Sequence, residues 1–203
     1  MTPLIPSAQA RLGCSDWAWG WNVGVLVDFG QGLGSRLGVT YRSAMDYTIG
    51  GTLAFNNTAL APLGSDVRAT LRLPQTASLA LSQQLGSKIR VLADYTWTGW
   101  DSIRSLAVVA TDGLSASAIV ANEALNFANS WRAGLGLEYQ AAPSWLLRTG
   151  IAYDRSPVQD AYRTPRLPDN DRKWLAVGAR FAPDSRWSVD VGYACLWMLK
   201  TTT

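Results

Sequence analysis

The residues of this sequence that could take part in chemistry are arginine, lysine, aspartate, glutamate and tryptophan, because histidine is absent. Without an imidazole the chain lacks a histidine-based triad and a histidine-ligated metal or haem. Its two cysteines, Cys14 and Cys195, are too few for a four-cysteine metal site. The remaining residue types are suited to binding, since cations beside an apolar groove lined by aromatic rings hold an anion that carries an apolar tail. We therefore expect no enzyme, no metal and no cofactor, and ask which elements bring cations and rings together.

The composition favours a membrane environment. Only 16% of the 203 residues are charged, against about 25% in soluble domains. The ten tryptophans suit the membrane–water interface, where an amphipathic indole ring is stable. Eighteen lysines and arginines nearly balance fifteen acidic residues without a basic run, so no nucleic-acid partner is expected. There is no apolar stretch long enough for a transmembrane helix, and the first residues lack the pattern of a signal peptide.

Apolar and polar residues alternate along many segments, which is the period of a β-strand. Between Trp19 and Phe29, for example, one face carries tryptophan, valine and phenylalanine, and the other carries glycine, asparagine and aspartate. About eight such segments occur, each about ten residues long, which is enough to cross a bilayer at a tilt. The predicted strands cover about 17–29, 35–48, 67–85, 89–104, 131–140, 145–154, 172–181 and 187–197. We expect them to form one partial β-barrel domain over residues 1–203.

Strand ends and loop lengths are typical of an antiparallel transmembrane β-barrel. Aromatic residues mark the strand ends, as in the pairs Trp131 with Tyr139 and Trp145 with Tyr153, which predicts two aromatic belts. Short connections alternate with long ones, the long ones lying near 51–66, 105–130 and 155–171. Outer-membrane barrels have short periplasmic turns and longer extracellular loops. The first strand should therefore run toward the periplasm and the eighth should run back.

Four sequence blocks resemble the C-terminal part of the long-chain fatty acid transport (FadL-type) outer membrane proteins. They are DWAWGWNVGVL (Asp16–Leu26), SRLGVTYRS (Ser35–Ser43), YTWTGWDSI (Tyr95–Ile103) and the dense block Trp145–Gly178. The family forms a fourteen-stranded barrel, plugged by an N-terminal hatch, through which fatty acids and other hydrophobic compounds diffuse passively. The resemblance implies that these strands are the sixth to thirteenth of such a barrel. It also implies a fragment without the hatch and the last strand, located in the bacterial outer membrane among its lipids, and leaves the oligomeric state unpredicted.

The resemblance also points to residues that could hold a fatty acid. By alternation, Arg132, Asp154 and Trp174 face the lumen in the extracellular half of their strands, and Trp100 does so as well. Arg132 or the loop residue Arg163 would meet the substrate carboxylate, Asp154 would hold that arginine, and Trp100 and Trp174 would line a groove for the tail. The plainer interpretation is that the inward charges form ion pairs that only support the wall.

Three structural expectations follow. Pairing across the turn at 141–144 should place Arg132 opposite Asp154 and join them in an ion pair. The sheet should remain open, with unpaired edges near 17–29 and 187–197, because glycines on the inward face do not fill a narrow barrel. Cys14 and Cys195 should not be paired.

Two other functions remain open alternatives to a transport barrel. A general porin or structural outer-membrane barrel would have many lumen charges and no apolar groove, and it would conduct small ions. A soluble lipid-binding barrel would show the same strand alternation but would stay in solution without detergent.

Overall fold

The computed structural model describes residues 10–30, 34–56, 64–113, 117–165 and 167–199. These residues form an all-β structure of antiparallel strands, which confirms the predicted fold class. The strands are β1 (Ala10–Ser15), β2 (Asn22–Asp28), β3 (Ser35–Arg42), β4 (Met45–Phe55), β5 (Ser65–Leu73), β6 (Thr76–Leu85), β7 (Ile89–Thr98), β8 (Ser105–Ala110), β9 (Ile119–Ala124), β10 (Ser130–Ala142), β11 (Trp145–Asp154), β12 (Arg172–Phe181) and β13 (Val189–Met198). Two single-turn 3-10 helices span Trp100–Ser102 and Asp160–Tyr162. Within the described ranges, no helix is both long and apolar enough to span a membrane.

The chain divides into two compact units, each with its own sheet. One unit, made of 21–43, 75–100 and 128–203, carries eight strands in the order β2-β3-β6-β7-β10-β11-β12-β13. The other unit carries five strands in the order β1-β4-β5-β8-β9. The prediction of a single domain over the whole chain stays a prediction.

The eight-stranded sheet matches the eight predicted strands in order and direction. Every neighbouring pair in it is antiparallel. Short connections, such as 86–88 and 143–144, therefore all lie at one end of the sheet. Strands β3, β7 and β11 all end at the opposite end of the sheet, which we call the long-loop end because the segments that follow them in the chain, 43–75, 99–129 and 155–171, are long. Of the predicted long loops, 155–171 separates β11 from β12, whereas 51–66 overlaps β4 and β5, and 105–130 contains β8 and β9.

Two of the predicted strands are each divided between two strands of the structure. The segment 35–48 is divided between β3 and β4, and 67–85 between β5 and β6. The second break falls at Pro74, whose nitrogen has no hydrogen to donate to a ladder. The first falls at Ser43, whose amide donates to the Trp21 carbonyl at 2.9 Å while its hydroxyl accepts from the Trp21 amide at 2.9 Å. These bonds hold Ser43 beside the start of β2 at the point where β3 ends.

The strand predicted over 89–104 also ends early, at Thr98. The Gly99 amide donates to the Gln75 carbonyl at 3.0 Å, and the chain then enters the 3-10 turn Trp100–Ser102. The prediction that the Trp100 ring points inward assumed that the strand continues to this residue. The extended backbone stops before Trp100, so strand alternation does not determine where its ring lies. The strand-parity argument for Trp100 was therefore wrong.

The five-stranded sheet was not predicted. Its strands β8 and β9 occupy the interval 105–130, which was expected to be a loop, and β1 lies before the first predicted strand. These strands have only six residues each, and β8 reads SLAVVA without alternation, so their periodicity is weak. A small apolar core of Val67, Ala69 and Val108, with Ile49 and Leu53 against it, holds this sheet together.

The edges of the eight-stranded sheet lie where they were predicted. Strands β2 and β13 are its two ends, and no pairing joins them within the described residues. At the first edge the strand itself begins at Asn22, so Trp17 and Trp19 lie outside it.

Candidate functional site

The two faces of the eight-stranded sheet differ sharply in composition. The strand registers place the alternating apolar side chains on one face, which we call the apolar face. Its side chains are exposed rather than packed, with Ile151 57% and Val191 68% accessible. Other exposed members are Val23, Val25, Val39, Leu79, Leu81, Tyr95, Leu135, Leu137, Leu147, Leu175, Val177 and Tyr193. A continuous exposed apolar surface of this kind is suited to lipid.

Aromatic rings border the apolar face at both ends of the strands. At the long-loop end, Trp131 stands between Tyr95 and Tyr153, with ring centroids 6.1 and 5.3 Å away. At the short-turn end, Phe181 packs against Trp145 at 4.7 Å and against Trp187 at 5.9 Å. Because the two belts are separated by one strand length, their spacing fits the apolar thickness of an outer-membrane barrel, about 25 Å.

The opposite face, which we call the charged face, has charges near its two ends and small residues between them. The central positions hold Gly24, Gly38, Ala80, Gly134, Gly136, Gly150, Ala152, Ala176, Gly178, Gly192 and Ala194. Larger side chains stand among these small residues, namely Leu26, Leu92, Asp94, Trp174 and Leu196. The middle of the face is therefore mostly small or apolar and could accept an apolar chain lying along it.

A chain of ion pairs crosses the charged face at the short-turn end. Glu138 bridges Arg90 at 3.4 Å and Arg148 at 3.2 Å. Asp190 bridges Arg148 at 2.7 Å and Arg180 at 3.6 Å. These residues come from β7, β10, β11, β12 and β13, so the chain ties five strands together. Such a chain of ion pairs is expected if the inward charges only support the wall.

At the long-loop end the predicted register is confirmed and the predicted ion pair is wrong. Arg132 lies directly opposite Asp154 on the β10–β11 ladder, but its guanidinium contacts Asp94 at 3.1 Å. Asp154 instead contacts Arg172 at 3.2 Å. The β11–β12 ladder brings Asp154 directly opposite Arg172, which gives this carboxylate a second cationic neighbour.

Gly134 explains why Arg132 turns toward Asp94. Asp94 lies directly opposite Gly134 on the β7–β10 ladder, and its carboxylate fills the space where a side chain would stand. A Cβ atom at Gly134 would come 2.5 Å from Asp94 Oδ1. The missing side chain therefore lets Asp94 lean over β10 and reach the arginine diagonally.

Trp174 lies on the charged face, as predicted, beside Ala152 and Leu196. Its ring is partly buried, and the indole Nε1 is enclosed without a hydrogen-bond acceptor among the described residues. Arg172, two residues before it, likewise has an enclosed Nε without an acceptor there. Trp100 belongs to the same unit and lies in the 3-10 turn beyond β7.

Arg163 is held inside the long loop 155–171. Its NH2 donates to Asp160 Oδ1 at 2.7 Å and to Asn170 Oδ1 at 2.6 Å, and its Nε donates to the Asp169 carbonyl at 3.2 Å. The guanidinium thus ties the middle of the loop, at Asp160, to its last residues, Asp169 and Asn170. This geometry gives Arg163 a structural task that the sequence did not indicate.

Sequence reasoning missed Asp171, which anchors the same loop. One carboxylate oxygen accepts from the Tyr153 hydroxyl, and the other accepts from the Ser156 amide at 2.9 Å. The Ser156 hydroxyl in turn donates to Asp169 Oδ2 at 2.9 Å, and Ser156 is buried. The only signal in the sequence was the density of polar residues in the block Trp145–Gly178.

Cys195 is a free thiol on β13. The side chain of Cys14 lies outside the described part of the chain.

A family model described as "Outer membrane protein transport protein (OMPP1/FadL/TodX)" matches residues 6–203. The chain belongs to this family. The resemblance inferred from the sequence blocks is thereby confirmed. Among similar members of the OMPP1/FadL/TodX family are Outer membrane protein P1 of Haemophilus influenzae, 33% identical over 89% of this chain, and the Long-chain fatty acid transport protein of Escherichia coli K12, 30% identical over 90%.

The solved structures show the same fold at lower identity. A FadL homologue from Pseudomonas aeruginosa superposes with a TM-score of 0.73 at 23% sequence identity. The superposition covers 89% of this chain and 44% of the homologue. The CymD monoaromatic hydrocarbon channel superposes with a TM-score of 0.58 at 17% sequence identity. That superposition covers 97% of this chain and 53% of the CymD chain. The chain spans 38% of the Haemophilus protein and 42% of the Escherichia coli protein, so it corresponds to less than half of either relative.

Proposed function

We propose that this chain forms part of the wall of an outer-membrane barrel through which long-chain fatty acids or other hydrophobic compounds diffuse passively. The apolar face would contact lipid and the charged face would line the lumen. The long-loop end would lie outside the cell, because outer-membrane barrels carry their longer loops there. The name of the Escherichia coli relative, a long-chain fatty acid transport protein, supports this substrate class.

The observation that carries the proposal is the layout of the charged face. Arg132 near the long-loop end is a cation with a half-exposed side chain, 47% accessible, and among the described residues its one ion-pair partner is Asp94. The Asp94 carboxylate occupies the space over Gly134, and the glycine and alanine surface begins beyond it, at Ala152 and Gly136. A carboxylate could bind the guanidinium while its apolar tail lies on that surface.

The proposed binding set keeps the residues predicted from sequence, with roles that follow their contacts. Arg132 meets the carboxylate, and Trp174 offers a ring on the same face. Asp154 acts through Arg172, which it holds beside Trp174. Trp100 and Arg163 belong to the rim of the long-loop end, where Arg163 shapes the loop.

Replacing Arg132 by alanine should weaken binding of a fluorescent long-chain fatty acid to the refolded chain by about tenfold, since a hydrogen bond to a charged group contributes about 1.5–3 kcal/mol. Asp154→Ala should weaken it less, because Asp154 contacts Arg172 rather than the ligand. Glu138→Ala, at the short-turn end, is the control and should leave binding within about twofold. Equal affinity of all three folded variants and the parent would show that the charges only support the wall.

A general porin or structural barrel is the second candidate, and the ion-pair chain from Arg90 to Arg180 favours it. Planar bilayers separate the two functions. A porin wall would give steady conductance of small ions that fatty acid does not block, whereas a wall for hydrophobic compounds would give fatty acid binding with little conductance.

A further inference from the structure

Lys173 stands apart from the other charges of the eight-stranded sheet. Within the eight described strands, every other charged side chain lies on the charged face. Lys173 follows Arg172 by one position, so it projects from the apolar face instead. It is exposed and lies in register between Tyr153 on β11 and Trp197 on β13.

A second cation that forms no ion pair in the described part of the chain, Arg155, follows Tyr153, the register partner of Lys173, by two residues. Arg155 directly follows β11, is exposed, and is tied to the aromatic belt through its amide, which donates to the Trp131 carbonyl at 2.9 Å. Neither Arg155 nor Lys173 has an ion-pair partner among the described residues. The adjacent acid, Asp171, accepts from the Tyr153 hydroxyl and the Ser156 amide and forms an ion pair with neither cation among the described residues.

A cation on the lipid-contacting face of a barrel is costly at the centre of a bilayer and tolerated near its surface. The belt of Tyr95, Trp131 and Tyr153 marks the level of the lipid headgroups, and Lys173 lies at that level. There a phosphate oxygen would supply the anionic partner that the protein does not. The neighbouring apolar side chains, such as Leu175 and Tyr193, would face the acyl chains of the same molecule.

We propose that Lys173 and Arg155 form a binding site for the phosphorylated headgroup of a lipid in the leaflet at the long-loop end. The inference rests on the membrane orientation of the proposed function. It adds a lipid site on the outside of the wall, separate from any site for transported molecules on the charged face.

The test uses the whole chain refolded in uncharged detergent and measures lipid binding by native mass spectrometry. The probes are a diphosphorylated disaccharide lipid, its dephosphorylated form and inorganic phosphate. The parent should bind the phosphorylated lipid at least about tenfold more tightly than the dephosphorylated one, since each cation near a membrane surface contributes about fivefold. Lys173→Gln combined with Arg155→Gln should abolish that preference. Lys88→Gln removes an exposed cation at the short-turn end and should leave the preference within about twofold.

Equal affinity of the parent for the two lipids would overturn the proposal, as would an equal loss in the Lys88 variant. Competition by millimolar inorganic phosphate would also overturn it, because the site would then take free phosphate rather than a lipid. The proposed function is tested separately by flotation of the chain with zwitterionic vesicles. A chain that fails to float would refute the membrane wall, whereas one that floats without lipid preference would refute only the headgroup site.

Discussion

Replacing Val177 by arginine is expected to lower the free energy of unfolding of the membrane-inserted chain by about 2–4 kcal/mol. Val177 lies near the middle of β12 on the apolar face, 50% exposed, between Thr149 and Tyr193. At this depth an arginine side chain would displace lipid and lose its hydration without gaining a partner. The change can be measured by denaturant titration of the chain in lipid vesicles, following tryptophan fluorescence.

The matched control is Ala176→Arg, one residue earlier on the same strand. Ala176 lies on the charged face between Gly150 and Ala194, where the neighbouring side chains are small and a guanidinium would remain in water. We expect its effect to be below about 1 kcal/mol, because lumen-facing substitutions change selectivity rather than stability. If Ala176→Arg proved as damaging as Val177→Arg, the assignment of one face to lipid and the other to a lumen would be wrong.

Replacing Asp171 by alanine is expected to release the loop 155–171. The variant loses the acceptor for the Tyr153 hydroxyl and for the Ser156 amide, and each hydrogen bond to a charged group contributes about 1.5–3 kcal/mol. A combined loss of about 3 kcal/mol raises the open population of the loop about a hundredfold. Trypsin cleavage after Arg155 or Arg163, timed on the refolded chain, reports that population.

Asp184→Ala serves as the control for the loop experiment. Asp184 accepts from the amides of Arg186 and Trp187 at 2.8 and 3.3 Å in the short turn after β12. It therefore also holds a connection through backbone amides, but at the short-turn end of the sheet. Its replacement should leave cleavage after Arg155 and Arg163 unchanged. Cleavage of the Asp171 variant at the rate of the parent would mean that Arg163 and its partners hold the loop without Asp171.

The alternation of residue types was enough to predict the eight strands of the larger sheet, their order and their faces. This works because side chains of a strand point to opposite sides at every step, so the alternation assigns each residue to the apolar or the charged face. Strands 145–154 and 172–181 were located to the residue, since alternation there is long and ends in aromatic belts. The open edges near β2 and β13 also followed from the pattern.

The ends of strands and the contacts of individual side chains were decided by the tertiary structure. Ser43 interrupts a predicted strand through its hydrogen bonds with Trp21, and Pro74 does so because it has no amide hydrogen. The short strand β8 is held by an apolar core that also includes residues of β5, and β9 pairs with β8. Arg132 forms an ion pair with Asp94 because Gly134 leaves room for this diagonal contact. Asp154 forms one with Arg172, which lies directly opposite it on the β11–β12 ladder. Register determines which backbones are opposite one another, but the space left by every neighbour determines which charges meet.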